Sequence, residues 1–200
     1  MKTLLILLTL ACSSVLMTSQ AVAVSLSLTP SSQDVLPGGF ALVTLNISGL
    51  TAGGPPSLGA FDVDVSFNPS VLTFQSATFG PFLGNEGLGE AISNVDISIP
   101  GIVDIDEVSL LFEAELDALQ PASFPLAAFL FSGSVINTGV SPLGFTQIAL
   151  SDASGSVLPI SSISGATVNV GAPVPEPSTV FLLGSGLIGI AAWRWKTIGK

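Results

Sequence analysis

Histidine and tyrosine are absent from this 200-residue sequence, cysteine occurs once, and lysine and arginine total four. The four cations are Lys2, Arg194, Lys196 and Lys200, and the cysteine is Cys12, so all five stand near the two ends. Residues 24–175 hold every Asp and Glu except Glu176, out of fourteen, and no Lys, Arg or His. A body without cations has nothing with which to neutralise phosphates, which excludes nucleic-acid binding. It cannot form internal ion pairs, so its carboxylates must be solvated, hydrogen-bonded or bound to metal. Ser-His-Asp, Cys-His and Ser-Lys nucleophile systems are excluded as well. No enzymatic activity is expected, and with no second cysteine no disulfide can form. Stability has to come from apolar burial, and a 48% hydrophobic composition can supply it.

The two ends read as targeting segments. Met1-Lys2-Thr3 is a short basic start, residues 4–10 are apolar, and Ala21-Val22-Ala23 has the small-x-small form of a cleavage site. Residues 1–23 are therefore expected to be a removed signal peptide. Cys12 as a lipid attachment site is the lesser alternative, because Thr9-Leu10-Ala11 is a poor lipobox. At the other end, Pro175-Glu176-Pro177 precedes sixteen uncharged residues, 178–193, followed by Arg194-Trp195-Lys196. Prolines cannot continue a helix upstream, and Arg194 and Lys196 form a basic stop. A helix over 178–193 spans roughly 24 Å against a hydrocarbon core of about 30 Å, which suits a temporary membrane anchor better than a permanent one. By the positive-inside tendency both tips face the cytoplasm and the body lies outside.

Residues 173–200 resemble the PEP-CTERM sorting signal, which joins a Pro-Glu-Pro motif, a short transmembrane helix and a basic cluster. The resemblance implies a Gram-negative bacterial source and recognition by an exosortase-type membrane protease, with processing near Pro175, Glu176 and Pro177. The chain would be held briefly in the inner membrane and then reside at the cell surface or in extracellular matrix. A plain C-terminal anchor is the competing reading.

The body, 24–172, fits one domain. Its hydrophobic rhythm has period two almost throughout, and strands are expected over 24–28, 42–47, 60–67, 71–74, 92–99, 102–112, 124–136, 143–150 and 166–170, with the long apolar run 124–136 expected to be a buried central strand. Residues 30–39, 49–59 and 80–91 carry Gly, Pro and polar residues and read as turns or loops. Good helix formers over 113–120, with Glu113 and Glu115 in the first turn and Pro121 as a stop, predict one or two turns of helix. The expected fold class is all-β: an antiparallel β-sandwich of about nine strands with one short helix, or a jelly-roll variant.

The stretch Gly59-Ala60-Phe61-Asp62-Val63-Asp64-Val65-Ser66-Phe67-Asn68-Pro69-Ser70-Val71-Leu72-Thr73-Phe74 is similar to the strand-turn-strand of cohesin-like domains. Phe124-Pro125-Leu126-Ala127-Ala128-Phe129-Leu130-Phe131 is similar to a later core strand of that family. The resemblance implies a non-catalytic binding or structural module, but it carries over no partner-binding residues. Partners expected for such a body are a surface or matrix protein or a polysaccharide, and a carbohydrate-binding module is the alternative function.

Carboxylates are what remains for chemistry. Asp62 with Asp64, and Asp104 with Asp106, stand two apart on predicted strands, so each pair shares one face. A solvated outer face explains them, and so does a calcium site, since clustered carboxylates without cations are relieved by a divalent ion. A glycosidase built on such a pair is the remaining option. Asp152-Ala153-Ser154-Gly155 is too short for a calcium loop, and Gly84-Asn85-Glu86-Gly87-Leu88-Gly89 lacks the lysine and spacing of a phosphate loop. No cofactor other than calcium is expected.

Overall fold

A computed structural model describes residues 23–171. Eleven strands build it: β1 (Val24–Thr29), β2 (Ser32–Val35), β3 (Phe40–Ser48), β4 (Leu58–Ser66), β5 (Leu72–Phe79), β6 (Ala91–Asp96), β7 (Ile102–Ser109), β8 (Ser123–Gly133), β9 (Gly139–Asp152), β10 (Ile160–Ser164) and β11 (Ala166–Val170). One helix, α1 (Glu113–Leu119), joins β7 to β8, and a 3-10 turn at Glu86–Leu88 interrupts the connection from β5 to β6. The strands form two sheets, in the orders β10-β1-β3-β8-β5 and β2-β11-β9-β4-β7-β6.

The period-two rhythm decides which side of each strand is covered. On β4, Phe61, Val63 and Val65 are buried while Ala60, Asp62, Asp64 and Ser66 face outward. On β3, Ala41, Val43, Leu45 and Ile47 are buried and alternate with Leu42, Thr44 and Asn46. The inner faces meet in one continuous core. Its centre is aromatic: the Phe131 ring lies 5.2 Å from Phe67, 5.8 Å from Phe74 and 6.2 Å from Phe129. Full burial of such a side chain contributes about 1.5–3 kcal/mol. With neither ion pairs nor disulfides available, this layer carries the fold.

Three expectations need correction. There are eleven strands, not about nine, because β2 and β10 also form. Both are short edge strands; the residues of β10 are all exposed and those of β2 at most half-buried, so little burial marks them. Their backbones are held by pairing instead. That pairing is parallel, β10 on β1 and β2 on β11, so the sandwich is mixed rather than purely antiparallel. Finally, β8 is central but not covered on both faces: Phe129 and Phe131 are buried, whereas Ala128 and Leu130 are only half-buried. A bulge opposite Leu45 and Asn46 turns both Leu126 and Ala127 inward.

The helix forms over 113–119 as the sequence predicts, with Glu115 accepting the Phe112 backbone N–H at 2.9 Å. Buried Gln120 closes its C-terminal end. The amide oxygen accepts from Leu58 N at 2.7 Å, and the amide nitrogen donates to the carbonyls of Leu58 at 2.8 Å and Phe82 at 3.0 Å. One side chain thus ties the helix end, the start of β4 and the loop after β5 together. Gly80 in that loop packs its Cα against the Pro125 carbonyl so closely that a Cβ would collide with it. Among the described residues no helix is long and apolar enough to cross a membrane. The expected signal segment up to residue 22, the helix over 178–193, Pro175, Glu176, Pro177, Arg194 and Lys196 lie outside the described residues.

Candidate functional site

The outer face of the six-stranded sheet brings the two predicted carboxylate pairs together. Strands β4 and β7 are antiparallel neighbours, and their register sets Asp62 opposite Asp106 and Asp64 opposite Asp104. Strand β6 adds Asn94 beside Asp106 and Asp96 beside Asp104. Asp62, Asp64 and Asp104 can each place one carboxylate oxygen within 4.8 Å of the others. Asp106 is drawn away from this group by Asn94, whose Nδ2 donates to it at 3.0 Å. Like charges opposite one another destabilise a sheet, so the cluster is a local cost of the fold.

The electrostatics agree with the geometry. Asp62 Oδ1 and Asp104 Oδ1 are buried and accept no hydrogen bond. Partial burial, and then the charges of Asp62, Asp64, Asp106 and Asp96, push the Asp104 carboxyl above the usual carboxylate range. A hollow of about 60 Å³ opens next to it, lined by Asp64, Asp96, Ser98, Ile99, Ile102 and Asp104. Three convergent carboxylates beside a space of water size suit a hard divalent cation with oxygen ligands.

Next to the acidic rows lies an apolar one. Ile92, Val108 and Ala60 stand side by side across β6, β7 and β4, with Ile92 61% and Val108 45% exposed. Val157 extends the row, and a groove of about 380 Å³ runs along it between Asp62, Asp106, Ala149 and Leu150. The face therefore offers an apolar strip bordered by carboxylates.

Sequence reasoning passed over Glu107. It is 1% exposed, its Oε2 has no hydrogen-bond partner, and burial, then the charge of Glu86, raises its pKa to about 7. A signal was present: Glu107 falls in phase with Val103 and Ile105, the two buried apolar residues of β7, and out of phase with Asp104 and Asp106. Parity placed this acid indoors. Glu113 and Glu115 stand in the first turn of the helix as expected, and Asp152 closes a turn by accepting from Ser154 N at 2.9 Å and Ser156 N at 2.8 Å.

Residues 173–196 match the family model described as the PEP-CTERM protein-sorting motif. Solved structures similar to the described body include a cohesin domain of Clostridium acetobutylicum at 20% identity, covering 76% of this chain and 94% of that one with a TM-score of 0.61. A type I cohesin of Clostridium thermocellum, solved as a cohesin–dockerin complex, matches at 11% identity and a TM-score of 0.60, covering 74% and 99%. A non-cellulosomal cohesin of the archaeon Archaeoglobus fulgidus matches at 12% identity and a TM-score of 0.55, covering 80% and 96%. The tail carries a PEP-CTERM sorting motif, and the body has a cohesin-like fold. No curated protein sequence matches the chain. At these identities the cohesin likeness concerns the fold alone.

Proposed function

We propose that the protein is a non-catalytic, exported binding module of the cell surface or extracellular matrix. Its signal segment exports it, the helix over 178–193 holds it briefly in the inner membrane, and an exosortase-type protease processes it near Pro175-Glu176-Pro177. The sorting motif at residues 173–196 supports this route. The folded body then binds a protein partner through the outer face of the six-stranded sheet. One observation carries that reading: an exposed apolar row, Ile92, Val108 and Val157, borders carboxylate rows on a body with no cation of its own. A partner surface with apolar side chains ringed by lysine or arginine complements it in both respects. The similar cohesin of Clostridium thermocellum, seen with a dockerin, is in keeping with a protein-binding role. A polysaccharide partner is less well served, since the outward rows of β4, β6 and β7 contain no aromatic side chain on which a sugar could stack. Asp62, Asp64 and Asp104 would hold a calcium ion beside this surface.

Intact mass and location of the protein, expressed in hosts with and without an exosortase-type protease, test the route. The expected result is a species lacking the residues after about Pro177, outside the cell only when the protease is present. A full-length, membrane-retained protein in both hosts would refute it.

A further inference from the structure

A second site lies on the opposite side of β7, between the open edges of the two sheets. Strand β5 ends the five-stranded sheet, β6 ends the six-stranded one, and the loop between them spans the gap. Beneath that loop is a cavity of about 500 Å³, lined by Thr78, Phe79, Pro81, Asn85, Glu86 and Glu107 among others. We infer that this cavity binds an organic cation, a primary ammonium group on an alkyl stem, between the carboxylates of Glu107 and Glu86.

Four observations support the assignment. Glu107 is buried at the cavity wall with Oε2 unpaired, and a buried carboxyl oxygen without a donor is a cost that a bound cation removes. Glu86 lines the same cavity. Its Oε1 accepts from both the backbone N–H and the hydroxyl of Ser93, the residue of β6 that pairs with Glu107. Next, residues 23–171 contain no Lys, Arg or His, so the chain's described body cannot supply the counter-charge itself. Finally, the lining favours an organic ion over a bare metal. The one group of three or more carboxylates close enough to cage a metal, among the described residues, is Asp62, Asp64 and Asp104. The cavity lining holds two acids, Glu86 and Glu107, in a space far larger than an ion, with Phe79 and Pro81 forming an apolar wall for a stem.

The loop is held in place before any ligand arrives. Asn85 Oδ1 accepts from Gly87 N at 2.9 Å, and Glu90 accepts from Asn85 N at 3.0 Å. A preorganised site binds without an added ordering cost.

Calorimetric titration of the full chain in detergent micelles with n-butylammonium chloride at pH 8 tests the proposal, with n-butanol and CaCl2 as parallel probes. Saturable one-site heat is expected from n-butylammonium and none from n-butanol. Glu107→Gln should weaken the ammonium at least tenfold while leaving the far-UV circular dichroism unchanged and the melting midpoint no lower. Equal binding of n-butanol, or ammonium binding indifferent to Glu107→Gln, overturns the proposal. So does an absence of heat from every probe, and so does CaCl2 heat that Glu107→Gln removes without any response to n-butylammonium. Two further probes separate the sources of the ammonium: tighter binding of N-acetyl-lysine amide than of 1,4-diaminobutane assigns a partner's lysine, and the reverse order a free amine.

Discussion

Glu107→Gln should stabilise the sandwich at pH 8 and change little at pH 4. The unfolded chain releases this proton near the ordinary 4.5, whereas the native state keeps it to about 7. Between those values the native state holds a proton that the unfolded state has lost, so stability is complete below pH 4.5 and falls as pH rises toward 7. At about 1.4 kcal/mol per pH unit the loss has a ceiling of about 3 kcal/mol. Local relaxation around a buried carboxylate lowers this ceiling, and about 2 kcal/mol is the better figure. The glutamine never ionises and escapes the loss, which corresponds to a midpoint roughly 4–8 °C higher at pH 8 in a domain of this size. Urea unfolding followed by far-UV circular dichroism, on both chains at pH 4, 6 and 8, measures the difference directly. Tryptophan fluorescence is unsuitable, because Trp193 and Trp195 are the only tryptophans and both lie in the tail. The other carboxylates are common to both chains and cancel. Stability curves that run parallel from pH 4 to 8 would refute the reasoning, because Glu107 would then be as well solvated native as unfolded.

Phe131→Ala removes the ring that touches Phe67, Phe74 and Phe129 at the centre of the core, and should cost about 3–5 kcal/mol, read from the urea midpoint. Millimolar CaCl2 should raise the melting midpoint if Asp62, Asp64 and Asp104 hold the ion. At ten times the dissociation constant the gain is about 1.4 kcal/mol, EDTA should reverse it, and Asp64→Asn with Asp104→Asn should abolish it. A calcium response that survives the double substitution places the ion elsewhere.

The alternation over 60–67 was sufficient to say that Phe61, Val63 and Val65 point in and Asp62 and Asp64 point out, since a strand has two sides and burying a carboxylate is costly. The same rule placed Asp104 and Asp106 outside and, applied one residue further, would have placed Glu107 inside. The helix over 113–119 was legible from its formers and from Pro121. Strands β2 and β10 were not, because a short edge strand is fixed by the neighbour it pairs with and its own side chains need bury nothing.

By itself, the sequence determined that the tail carries a sorting motif and that the body is an acidic, cation-free β-sandwich, because motif, composition and period-two burial are local properties written residue by residue. Only the tertiary structure decided that Asp62, Asp64 and Asp104 form one cluster while Asp106 leaves it for Asn94. It also decided that Glu107 meets Glu86 across a cavity. Both depend on which strands pair and in what register, and register is set by the joint packing of two sheets, which no single stretch of chain contains.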